Sequence, residues 1–196
     1  MLLWSSVLAC SRSAEVAPSE ASAVERRPHE LTVDCRGGAD YAALVDAVHD
    51  AHGGDLITVA PCTYFGTVDL DGKALRIVST GGPDVTTIAA TPGKAALRAH
   101  GGESTRALVS GFTLTGGGGP GVPGGIDVEM SALRVEHAVV TGTQGSHAVH
   151  GRSADLVLVD VRIEGNVSED EATIDAQRGY LLLVDSSVTC GAEPHG

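Results

Sequence analysis

The chain has 196 residues, 3 % of them aromatic and 26 of them glycine, and its formal net charge is −12. That length holds one domain with a real core, and apolar bulk carried by Val, Leu, Ile and Ala suits short strands and tight turns better than a helical bundle. The acidity and the lack of a Lys/Arg-rich patch argue against nucleic acid as a partner and disfavour a strongly anionic polymer unless a metal bridges the charges.

The chain opens Met1-Leu-Leu-Trp-Ser-Ser-Val-Leu-Ala-Cys10, an apolar run ending in Leu-Ala-Cys. This resembles the lipobox of bacterial lipoprotein signal peptides. The resemblance implies that Cys10 is acylated, becomes the mature N-terminus and holds the chain in the cell envelope. The run is too short to span a membrane, and no later segment qualifies. Residues 11–30 are rich in Ser, Ala, Glu, Pro and Arg, have no apolar period, and read as a disordered tether. The expected layout is a signal with lipobox over 1–10, a tether over 11–30 and one folded domain over 31–196.

The segment Leu31-Thr-Val-Asp-Cys35 resembles Ile57-Thr-Val-Ala-Pro61, which Cys62 follows. As neighbouring parallel strands they bring Cys35 close to Cys62, the candidate disulfide pair; two unpaired, buried thiols are the alternative. Residues 40–52 place Tyr41, Leu44, Val45 and Val48 at i, i+3, i+4 and i+7. That spacing predicts an amphipathic helix, capped by Asp40 and ended by Gly53-Gly54. Strands are then expected at 56–60, 67–70, 75–79, 86–89, 95–98, 108–115, 125–128, 133–141, 148–150, 156–164, 173–175 and 181–189. Gly, Asn and Asp turns separate many of them.

Three 18-residue units superimpose without gaps, over 125–142, 148–165 and 173–190. Residues 107–116 match the second half of the unit. Ile126, Val149 and Ile174 align; so do Leu133, Leu156 and Leu181, then Val135, Leu158 and Leu183, then Val140, Ile163 and Val188. A period in the low twenties built from strands and turns is one coil of a solenoid, stacked at the strand spacing of about 4.8 Å. The fold class is therefore all-β, a right-handed parallel β-helix with an N-terminal capping helix.

The segment from Asp40 to Tyr64 carries Gly54-Asp55, Ile57, Val59, Pro61 and Tyr64 after the helix. It resembles the opening of right-handed β-helix proteins of the pectin-lyase-like superfamily, with Cys62 where a glycine is usual. Leu75-Arg-Ile-Val-Ser-Thr-Gly-Gly82 and Thr86-Thr-Ile88 look like that family's first full coil. The resemblance implies the fold and a helix sealing the first coil, but no single activity, since the superfamily holds lyases, hydrolases, esterases and epimerases. The opening also resembles pectin methylesterases, yet their Gln-Asp-Thr-Leu and Asp-Phe-Ile-Phe-Gly segments are absent. No helix matches the cap at the C-terminal end, which leaves either the tail after Cys190 or another molecule to cover it.

Two polar ladders remain. Asp127, His150 and Asp175 share a position in successive coils, and so do His137, Asp160 and Asp185. Each reads either as an acid/base pair or metal site, or as an outward ladder in which His relieves Asp–Asp repulsion; the second reading is preferred. Glu129, Arg152 and Gln177 form a third, read as a surface ion pair. Arg152 shares a face with His150, which makes Asp127, His150, Asp175 and Arg152 the candidate catalytic groups. The longest loop, 116–124, is Gly, Pro and Val and carries no acid, base or nucleophile. No cofactor and no metal is assigned.

The expected function is a non-catalytic cell-surface module with a structural role or a polysaccharide or envelope protein as partner, self-association being open at the C-terminal end. The alternative is a polysaccharide-active lyase, esterase or hydrolase. A concave surface gathering Asp127, His150 and Asp175 with Arg152 would favour the enzyme.

Overall fold

The computed structural model describes residues 26–168 and 172–189. Cys10, Cys190 and residues 11–25 of the expected tether lie outside the described residues. Residues 26–30 are already part of the fold, with Glu30 opening the first strand.

The chain visits three faces in turn and forms an all-β parallel solenoid of about six turns. The first face stacks Glu30–Val33, Leu56–Val59, Arg76–Ser79, Leu108–Ser110, the first halves of Ala132–Thr141 and Asp155–Glu164, and Tyr180–Val184. The second stacks Thr63–Phe65, Thr87–Ala90, Thr113–Gly116, the second halves of the two long strands, and Ser187–Val188. The third stacks Val68–Asp69, Leu97–Ala99, Ile126–Glu129, Val149–Arg152 and Ile174–Gln177.

Side chains alternate along a strand, so register alone decides which residues meet in the core. On the first face the inward ladder runs Leu31, Ile57, Ile77, Val109, Val135, Leu158 and Leu183. On the second it runs Tyr64, Ile88, Leu114, Val140, Ile163 and Val188. The third runs Val68, Leu97, Ile126, Val149 and Ile174. All four alignments read from the repeat units are present as register pairs.

The segments 133–141 and 156–164 do not run straight. Each bends at one residue with positive φ, His137 (46°) and Asp160 (53°). Residues 108–115 split at the same corner on Gly111 (85°), and 181–189 splits at Asp185 (50°). A tight corner needs one left-handed residue per coil, and Asp and His are among the few non-glycine residues enriched there. The His137, Asp160 and Asp185 ladder is thus accounted for by backbone geometry.

The helix is shorter than expected, Leu44–Asp50 instead of 40–52. Asp40 does not cap it: its carboxylate accepts from the Thr32 N–H (2.9 Å) and the Thr32 hydroxyl (2.7 Å). Tyr41 donates its N–H to the Thr32 carbonyl and forms a parallel bridge with Val33, which holds residues 40 and 41 extended. Leu44, Ala47 and Val48 are buried against the core and seal the first coil. At the other end Lys73 Nζ donates to the carbonyls of Val48 (2.8 Å) and His49 (2.7 Å), two of the orphan acceptors every helix C-terminus leaves.

Cys35 and Cys62 are joined in a disulfide, with Cα atoms 6.3 Å apart. It ties the capping segment to the coil that follows. Disulfides persist in oxidising compartments, which fits an extracellular or otherwise oxidising environment. Among the described residues no helix is long and apolar enough to cross a membrane. Reduction, or the double change Cys35→Ser and Cys62→Ser, is expected to lower unfolding free energy by about 2–4 kcal/mol. Urea titrations with and without reductant measure this; an unchanged midpoint would show the crosslink to be inert.

Two buried polar side chains knot the backbone elsewhere. Asp55 accepts from the N–H groups of His29 (2.8 Å) and His52 (2.9 Å) and from Arg26 (2.8 Å). Asn166 accepts from the N–H and hydroxyl of Thr143 and donates to the Val140 carbonyl. Asn166 opens an Asn-Val-Ser sequence that fits a glycosylation acceptor, but it is 1 % exposed and its amide is spent inside the corner.

Candidate functional site

The third face carries the polar ladder of greatest interest. Its outward positions align as Asp69, Arg98, Asp127, His150 and Asp175, one residue per coil. The sequence units cover three of these; Asp69 and Arg98 extend the ladder toward the capped end. Acid and base alternate. Arg98 lies 3.5 Å from both Asp69 and Asp127. His150 Nδ1 is 2.9 Å from Asp127 Oδ1. An ionised carboxylate only accepts, so the imidazole donates through Nδ1 and leaves Nε2 as its basic nitrogen.

Two residues along the same strands runs a second row. Arg152 pairs with Glu129 at 2.8 Å. Gln177 Nε2 donates to Asp175 Oδ2 at 2.7 Å. His100 Nε2 is 3.0 Å from Asp69 Oδ2. The face thus carries a lattice of polar pairs, most of them joining neighbouring coils.

Beside it, loop 116–124 folds back and walls a groove of about 410 Å³. Gly121, Val122 and Pro123 form the wall; Asp127, Glu129, Ser146, His147 and His150 line the rest. The loop lies tight on its neighbour: a Cβ on Gly118 (φ 73°) would fall 1.9 Å from the Gln144 carbonyl oxygen. The His147 and His150 rings stack at 6.1 Å between centroids and 15° between planes. His147 Nδ1 sits 2.9 Å from the Ala172 carbonyl and its Nε2 3.5 Å from Asp175.

Asp127 and His150 therefore stand together in a concave site. Arg152 and Asp175 do not line it: Arg152 reaches outward to Glu129, and Asp175 is turned to Gln177 and His147. The sequence does not mark Ser146 and His147, which fall in the turn between repeat units; the expected Glu129–Arg152 ion pair is formed, and Glu129 also lines the groove. The i, i+2 spacing of Asp127 and Glu129 on one strand was the available signal, since it puts both carboxylates on one side.

The other ladder forms its own pair, His137 Nδ1 to Asp160 Oδ2 at 2.7 Å, with both side chains about 60 % exposed. A larger groove of about 500 Å³ runs past them over Val78, Ser79, Pro83 and Val139. Side chains so exposed, at positions chosen for the corner, make this the weaker site.

No family model matches the chain, and no curated protein matches it. Among solved structures it is similar to a pectin methylesterase from carrot, at 18 % identity and a TM-score of 0.46. The likeness covers 79 % of this chain and 55 % of that one, so the chain spans little more than half the enzyme's length. The solenoid assignment rests on the strand register described above.

Proposed function

We propose that this chain is an exported, envelope-anchored β-helix module that binds a neutral, hydroxyl-rich polymer, a glycan, along its third face. The observation carrying this reading is the ladder from Asp69 to Asp175. Polar groups repeat at the coil spacing of about 4.8 Å, close to the length of one sugar residue. Its carboxylates outnumber Arg98 and Arg152, with His100 and His150 set among them, so the face offers donors and acceptors to hydroxyls while repelling a polyanion, in keeping with the −12 of the whole chain. That pattern suits hydroxyls better than a polyanion. The wall of loop 116–124 and the stacked His147 and His150 rings supply an edge against which one sugar can rest. The Leu-Ala-Cys10 pattern and the Cys35–Cys62 bond support export and anchoring.

The test is a polysaccharide array run beside lyase, esterase and hydrolase assays. Saturable binding to a neutral glycan without turnover is expected, weakened by Arg98→Ala or His147→Ala. Binding confined to polyanions, or no binding at all, would count against the reading. A single change at Cys10 to Ala is expected to move the protein from the membrane to the soluble fraction.

One observation favours a catalytic reading in second place. The Asp127–His150 pair has the orienter–base form used to activate a nucleophile, and Ser146 lines the same groove. That reading needs the Ser146 hydroxyl within reach of His150, and no such hydrogen bond is formed. Hydrolysis of a simple aryl ester, lost in Ser146→Ala, would promote it over the binding module.

A further inference from the structure

We propose that Asp127, Glu129 and His150 form a site for one divalent transition-metal ion of the Zn²⁺ type. This goes beyond the glycan reading and stands whether or not a glycan binds. It also departs from the sequence reading, which assigned no metal.

Three facts converge. First, strand geometry delivers the ligands: Asp127 and Glu129 project from one strand to the same side, and His150 lies in register with Asp127 one coil on. One ligand atom from each lies within 4.8 Å of the others. An ion about 2.1 Å from each ligand needs them about 3–4 Å apart. Small rotations close that difference, because Glu129 is only partly buried. Second, the donor set is chemically selective. One imidazole nitrogen with two carboxylates suits Zn²⁺ and its neighbours, whereas Ca²⁺ and Mg²⁺ prefer oxygen alone. Third, Ser146 lines the same groove and is 6 % exposed, so it sets a hydroxyl beside the three ligands.

The arginines oppose the ion. Arg152 holds Glu129 at 2.8 Å and Arg98 lies 3.5 Å from Asp127. The Arg152 pair is half-exposed and weak, so the ion displaces the guanidinium into water. Among the described residues the exposed His137–Asp160 pair gathers no third ligand, and it serves as the internal control.

The experiment is calorimetric titration of ZnCl₂ into the untagged, metal-stripped full chain. One equivalent is expected to bind saturably and to resist displacement by millimolar Ca²⁺. Glu129→Gln and His150→Gln should each weaken binding at least tenfold, while His137→Gln leaves it unchanged. Arg152→Gln, which keeps all three ligands and frees Glu129, should tighten it about two- to fivefold. Thermal melts by circular dichroism establish that each variant is folded. The proposal fails if no saturable binding is seen, if folded His150→Gln binds like the parent, if Ca²⁺ displaces Zn²⁺ readily, or if Arg152→Gln binds more weakly.

Discussion

Replacing Asp55 with Ala is expected to lower unfolding free energy by about 3–5 kcal/mol, the range for removing one member of a buried charged network. The side chain is 1 % exposed and gathers His29, His52 and Arg26 around one carboxylate. Its loss strands two backbone N–H groups where the incoming chain meets the first coil. Burial pushes this carboxyl up, but the backbone N–H groups of His29 and His52 and the Arg26 guanidinium outweigh it and bring the pKa from 3.8 down to about 2. A folded-state pKa below the unfolded one means the proton binds the unfolded chain more tightly. The stabilisation is therefore complete above about pH 4 and is lost as pH falls toward 2, about 2 kcal/mol in all. Urea midpoints measured across that window should slope in the parent and flatten in Asp55→Asn. Equal slopes would place the acid-sensitive group elsewhere.

The second large effect concerns position along the solenoid. Leu158 and Leu183 are register partners one coil apart. Leu158 is 0 % exposed, Leu183 37 %. Leu158→Ala should cost about 3–5 kcal/mol, since its neighbours on both sides are fixed and the cavity stays open. Leu183→Ala should cost about 1 kcal/mol, because the last described coil packs on one side only. Denaturant unfolding gives both numbers. Similar costs would mean that the last coil is covered as fully as the middle ones. Tyr180, Leu182 and Val188 on that coil are exposed as well.

The middle coils were legible because their period is written into matched apolar positions. Ile126, Val149 and Ile174 needed no knowledge of contacts, only a repeat and the alternation of a strand. The corners were less legible: a left-handed residue costs nothing visible in hydropathy, so 133–141 and 156–164 read as straight strands although His137 and Asp160 turn them. The helix start was misplaced because Asp40 fits a cap as well as it fits Thr32, and the choice depended on a strand eight residues back. At the site, the Asp127–His150 pair was readable from the offset between units. The groove was not, because Ser146, His147 and loop 116–124 sit between units, where the repeat carries no information.

The alternation of acid and base along Asp69, Arg98, Asp127, His150 and Asp175 has a consequence for folding. A chain of near-identical coils can stack with one coil looped out, and the apolar ladders would scarcely object: Leu97 would simply be replaced by its neighbour in kind. The charged ladder would object. Skipping the Arg98 coil sets Asp69 against Asp127; skipping the His150 coil sets Asp127 against Asp175. Like charges directly opposite are destabilising. The pattern works as a parity check on assembly, penalising a stack from which the Arg98 or the His150 coil has dropped out.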